Sequence, residues 1–295
     1  MCIPGKISPS MAFSFIVFCV LTIVGPYLHF SLMSAKAQNA DFSKVKIIGH
    51  RGFAAYAPEN TLASFRRCLT MQSQMIELDV HLSSDDSVMV IHDHTVDRTS
   101  NGKGHVENLT YNQLKKLDAG IWFCENFNDE RIPELSEVLE LVNGQRTVLI
   151  ELKWPQKGIY KGLVAKVIEL VRKYKAEQWV IIQSFEPLYL KEVSQLAPDL
   201  VTHQLIYGAA RFLPIYYDRT FHLKKFKPLI FVKAVNCNYL YATKRFVKKM
   251  HNKNLSVNVY TVNKPKFILR LAGRGVDGII TDNALLAERT LYIKE

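Results

Sequence analysis

The chain reads as an α/β domain that closes into a parallel barrel, and three observations predict this. From about residue 44 onward, short β-branched runs alternate with helical stretches. Many of the runs are apolar on both faces, as strands buried between helices are. Acids and histidines stand at the carboxyl ends of the runs, where a parallel barrel gathers its loops into one mouth.

Before the barrel comes a leader. One cation, Lys6, precedes an apolar run over 11–24, and Ala35-Lys36-Ala37 follows as a small-x-small pattern. Residues 1–37 therefore read as a signal peptide cleaved after Ala37, giving an exported protein. Counted through Met33, the run is also long enough to serve as an uncleaved membrane anchor over 11–33. The domain proper is expected over 44–292. Its strands are expected at 45–49, 75–80, 88–92, 147–153, 179–184, 201–207, 229–235, 255–262 and 277–281. Helices are expected at 61–72, 135–142, 160–175, 187–196, 242–252 and 264–272. Only seven residues separate Val80 from Val88, too few for a helical crossover, so that connection is irregular or a hairpin. More than fifty residues with little strand pattern separate His92 from Thr147. They read as an insertion after the third strand, at about 94–146.

The 295 residues carry 38 Lys and Arg against 27 Asp and Glu, a formal charge of +11. That balance favours anionic partners without choosing among them. Five cysteines with no CxxC exclude a zinc ribbon and a dense disulfide scaffold. Residues 205–217 are apolar and aromatic. They read either as a strand running into a packed loop or as a hydrophobic lip able to contact a membrane surface. Lys244, Arg245, Lys248 and Lys249 have the spacing of a solvated helix face.

Glu77 and Asp79 are two residues apart, which on a strand puts both carboxylates on one face. Ile76, Leu78 and Val80 supply the opposite, apolar face, which argues against acids simply turned to solvent. Inward carboxylates repel unless protons or a cation intervene. With Glu151 they make an all-oxygen site suited to Ca²⁺ or Mg²⁺. His50 and His92, at strand ends, are candidates for proton transfer near neutral pH. Arg51 and Lys153 add positive charge to grip phosphate oxygens. Such a mouth suits phosphodiester cleavage, in which charge develops on phosphoryl oxygens.

Gly49-His50-Arg51-Gly52, Pro58-Glu59-Asn60-Thr61, Glu77-Leu78-Asp79, His92-Asp93 and Asp97-Arg98-Thr99 resemble the glycerophosphodiester phosphodiesterase family. So do Glu151-Leu152-Lys153, Gln183-Ser184-Phe185, Thr261-Val262-Asn263 and the segment from Gly275 to Asp282. The ordered set, spanning about 45 to 290, is what makes the resemblance specific. It implies a TIM (β/α)8-type barrel of the phospholipase C-like superfamily with an insertion after the third strand. Nine candidate strands exceed eight, and the surplus is expected at 229–235 or 201–207. The resemblance also implies hydrolysis of glycerophosphodiesters to glycerol phosphate and an alcohol. Glu77, Asp79 and Glu151 would then hold the Ca²⁺ or Mg²⁺, His50 and His92 would act as base and acid, and Arg51 and Lys153 would hold the phosphate. Tyr260 stands where the family often has tryptophan, keeping an aromatic wall. The alternative enzyme is a lysophospholipase D or sphingomyelinase D-like activity on membrane lipids. A catalytically dead phosphodiester-binding barrel would need a broken constellation, and all seven polar residues are present. No nucleic-acid motif is present.

Overall fold

The computed structural model describes residues 42–209 and 214–293. The leader expected at 1–37 lies outside them, as does part of the 205–217 lip. Among the described residues, no helix is long and apolar enough to cross a membrane.

The first three strands are β1 (Lys46–Gly49), β2 (Met75–Leu82) and β3 (Val88–Val90). They are followed by β4 (Thr147–Leu152), β5 (Val180–Ser184) and β6 (Val201–Ile206). A small sheet comes next, made of β7 (Gly208–Ala209), β8 (Tyr216–Tyr217) and β9 (Phe221–His222). The last strands are β10 (Ala234–Asn238), β11 (Ser256–Tyr260) and β12 (Gly278–Thr281). Strands β1, β2, β4, β5, β6, β10, β11 and β12 pair in parallel, and β1 bonds to both β12 and β2, which closes the barrel. The helices are α1 (Leu62–Leu69), α2 (Tyr111–Lys115), α3 (Leu135–Val142), α4 (Leu163–Lys173), α5 (Pro187–Leu196), α6 (Lys244–His251), α7 (Pro265–Ala272) and α8 (Ala284–Leu291).

The surplus strand is not where the sequence pattern placed it. It is β3, which pairs antiparallel with β2 in the register Val80↔Val90. The link is a tight turn in which Ser83 N–H donates to Ser87 O and Asp86 adopts φ 64. The 201–207 run is the barrel strand β6. The 229–235 run begins too early, because the Leu229 N–H is taken by the Gln204 side chain and the strand starts only at Ala234.

Strand parity explains the interior. Met75, Ile48, Leu149 and Ile280 fill the barrel floor. The parity that turns Met75 inward also turns Glu77 and Asp79 inward. Ile76, Leu78 and Val80 meet the helices outside, in the large core with Phe65, Leu139 and Val167. Above the floor lies a buried amide layer. Gln183 donates to Glu77, Asn236 to Gln183, and Asn258 to Asn236. The segment after β3 has its own small core of Ile91, Val96, Val106, Leu114 and Ile132.

Candidate active site

β1 ends in a reversal that sets two site residues. His50 N–H still bonds to Thr281 O, which holds this residue at the barrel mouth. Its Nδ1 lies 2.6 Å from Asp282 Oδ1, and its Nε2 lies 4.0 Å from Glu77 Oε2. Asn263 Nδ2 donates to the other Asp282 oxygen. Arg51 (φ 52) and Gly52 (φ 86) then turn the chain back. A Cβ on Gly52 would come within 2.2 Å of Ser64 Oγ, so position 52 needs glycine for space as well as for conformation. The turn aims the Arg51 N–H at Glu77 Oε2 (3.0 Å) and its guanidinium at Glu59 Oε1 (2.6 Å). Arg51 Nε lies 3.4 Å from Asp79 Oδ2.

Glu77 and Asp79 are 2% and 1% exposed. Parallel register sets Glu151 of β4 directly beside Asp79. One oxygen from each of the three carboxylates falls within 4.8 Å of the others. Lys153 Nζ donates to Glu151 Oε1 at 2.9 Å and lies 3.5 Å from Asp79 Oδ1. Asn60 Nδ2 donates to Asp79 Oδ2 at 3.0 Å.

The electrostatics separate the two acids of β2. Burial, then the charges of Asp79 and Glu151, push Glu77 well above the ordinary carboxylate range. Burial alone would also raise Asp79. His92, Lys153 and Arg51, helped by Asn60, outweigh it and hold Asp79 below that range. Burial opposes charge on Lys153 too, and Glu151 and Asp79 more than restore it. Three carboxylates thus face two cations, and the repulsion left over falls on Glu77. A hard divalent cation between these oxygens would relieve that repulsion and matches the all-oxygen donor set.

His92, after β3, has Nδ1 2.7 Å from Asp93 Oδ1. The hydrogen bond from His92, then Arg98, holds Asp93 below the usual carboxylate range against its burial. Arg98 donates to Asp93 Oδ2 at 2.6 Å and to both Glu59 oxygens at 2.8 Å. Glu59 is also the acceptor for Arg51. A continuous ionic chain therefore runs from Arg51 through Glu59, Arg98 and Asp93 to His92.

His50, Arg51, Glu77, Asp79, His92, Glu151 and Lys153 all line one cleft of about 850 Å³. Trp154, Phe185, Tyr207 and Tyr260 form its aromatic wall, with Phe185 stacked on Tyr207 at 4.7 Å. Sequence reasoning gave no role to Asp282, Glu59, Asn60, Arg98 or Gln183. Each stands in or next to a motif quoted above. Its partner becomes visible only when the strand ends converge.

Fold and site together define an α/β barrel whose mouth gathers buried carboxylates, two histidines and two cations. Residues 50–286 match the Glycerophosphoryl diester phosphodiesterase family. A glycerophosphodiester phosphodiesterase of Caldanaerobacter subterraneus subsp. tengcongensis is 37% identical over 242 residues, 81% of this chain and 95% of that protein. The glycerophosphodiester phosphodiesterase structure from Agrobacterium tumefaciens superimposes with a TM-score of 0.67 at 28% identity, covering 82% of this chain and 98% of that one. An Oleispira antarctica phosphodiesterase, solved with its product sn-glycerol-3-phosphate, shares the fold with a TM-score of 0.72 at 23% identity, covering 83% and 96%. The chain belongs to the glycerophosphodiester phosphodiesterase family and is an enzyme of that family.

Proposed function

We propose that this cleft hydrolyses water-soluble glycerophosphodiesters to glycerol phosphate and an alcohol, with His50 and His92 exchanging the protons. The observation that carries the reading is the buried carboxylate trio set between two histidines, each held at Nδ1 by its own carboxylate. The names of the relatives above agree with it. Glu77, Asp79 and Glu151 would hold the divalent cation, Ca²⁺ or Mg²⁺. Such an ion offsets charge developing on the phosphoryl oxygens.

With Nδ1 donating to Asp282 or Asp93, each imidazole is left with Nε2 for chemistry. One histidine enters neutral and the other protonated. A glycerol hydroxyl next to the phosphoester attacks phosphorus and gives its proton to the neutral ring. The leaving alcohol takes a proton from the charged ring. The resulting cyclic phosphate is opened by water with the two roles reversed, which restores both rings. Attack from within the substrate gains the advantage of proximity. Arg51 and Lys153 present positive charge to the phosphate.

The test is choline release from glycerophosphocholine by the purified chain, with Ca²⁺ or Mg²⁺ and with EDTA, beside lysophosphatidylcholine. Release from the soluble diester, abolished by EDTA and reduced about 10²–10⁴-fold in His50→Ala and His92→Ala, is expected. Release indifferent to EDTA would overturn the metal assignment, and release from the lysolipid alone would overturn the substrate.

A further inference from the structure

From Arg219 to Val276 the chain runs 58 residues without an Asp or Glu while carrying fourteen Lys and Arg. The whole chain has a charge excess of only +11, so this one stretch accounts for all of it. It contains the return from the small sheet to β10, then α6, β11 and α7. Lys224, Lys225, Lys227, Lys233, Lys244, Arg245, Lys248 and Lys249 are all exposed. None of them forms an ion pair with another described residue.

The part of this stretch next to the mouth is also apolar. Phe221, Leu223 and Ile230 are 60%, 78% and 100% exposed and alternate with Lys224, Lys225 and Lys227. Single exposed apolar residues are ordinary. Three on one ten-residue strap, interleaved with unpaired lysines, are not explained by the fold. The strap is anchored by its inward residue. Phe226 is buried, with its ring 5.3 Å from Tyr216 and 6.5 Å from Phe246 of α6. That anchor sets the strap beside the cationic face of α6. Tyr217 of the same small sheet lies 4.9 Å from Tyr207, which lines the cleft.

We infer that the 221–230 strap and the outer face of α6 dock this enzyme on an anionic phospholipid surface. Phe221, Leu223 and Ile230 enter the headgroup region, and the lysines meet lipid phosphates. A cationic stretch with no acid of its own, whose exposed lysines are unpaired, combined with protruding apolar tips is the chemistry of interfacial lipid binding. Nucleic acid fits less well, because Leu223 and Ile230 offer no ring for a base to stack on. The docking rests on no reading of the reaction. It turns the side of the mouth carrying Tyr207 and Tyr217 toward the lipid.

The test is co-sedimentation of the full chain with vesicles of phosphatidylcholine alone and of equimolar phosphatidylcholine and phosphatidylglycerol. Two variants are compared with it: Phe221→Ser with Leu223→Ser and Ile230→Ser, and Lys224→Gln with Lys225→Gln and Lys227→Gln. Any contribution from residues 1–41 is common to all three proteins. Preference for the anionic vesicles is expected, with each triple variant weakening it about tenfold or more. Circular dichroism and hydrolysis of a soluble diester, both expected unchanged, report that the variants fold. Equal binding by all three proteins would overturn the proposal. So would a loss confined to the lysine variant together with equal competition by RNA, which would mark a general polyanion surface.

Discussion

Arg98 lines none of the cleft, yet it ties the two halves of the site together. Its fork holds Glu59, which holds Arg51 after β1, and Asp93, which holds His92 after β3. Glu59, largely buried, stays below the usual carboxylate range because Arg98 and Arg51 outweigh its burial. In the proposed mechanism Arg98 is thus a positioning residue: through Asp93 it orients His92. Arg98→Ala is expected to lower kcat/KM about 10–100-fold, in line with losses of supporting hydrogen bonds elsewhere. The limb of the pH–rate profile that belongs to His92 should shift as well. Arg98→Lys keeps the charge without the fork and should recover only part of the rate. A merely structural role would leave the pH profile in place, so an unshifted profile would reject this assignment.

At the scale of the element, β2 shows what a sequence reveals and what it hides. Its alternation of acids with Ile76, Leu78 and Val80 gave the inward carboxylates directly, because strand parity is a local property. The short link from Val80 to Val88 does form a hairpin, but the sequence pattern puts the surplus strand at 201–207 or 229–235, because a short hairpin partner such as β3 leaves an apolar run much like a barrel strand's. Asp282 and Arg98 went unassigned because their partners, His50 and Glu59, are distant in sequence and meet only after closure. The amide layer is a similar case: Gln183, Asn236 and Asn258 come from three strands, and nothing local links them. Its dependence on close approach is testable at Gly278. A Cβ there would fall 2.3 Å from Asn258 Oδ1, and the strand leaves little room to yield. Gly278→Ala is therefore expected to cost about 2–4 kcal/mol by overpacking and by breaking the Asn258–Asn236 bond. Urea unfolding measures this, and a cost near zero would mean that the layer yields freely.

For the whole molecule, acid stability is governed in part by histidines the reaction does not use. His81 is buried between Tyr160 OH (2.9 Å) and His92 O (3.2 Å), and His203 is buried beside Asn236. Burial, then the positive charge of Lys153, pushes His81 down to about 3. Burial, then Lys46, does the same to His203, also to about 3. Both rings are neutral in the folded barrel. In the unfolded chain each takes a proton as pH falls through 6.5. Depressed folded values mean stability that is present above pH 6.5 and lost as pH drops toward 3. The slope approaches about 1.4 kcal/mol per pH unit for each ring. Glu77, raised in the fold, acts in the opposite sense, so total stability mixes the two effects. A comparison with His203→Gln removes Glu77 from the result, because it is common to both proteins. The stability advantage of the native chain over His203→Gln should hold steady above about pH 7 and shrink below about pH 6.5. An advantage that stays constant down to about pH 5 would show that His203 becomes charged inside the folded barrel. The barrel interior would then be more accessible to protons than its packing implies.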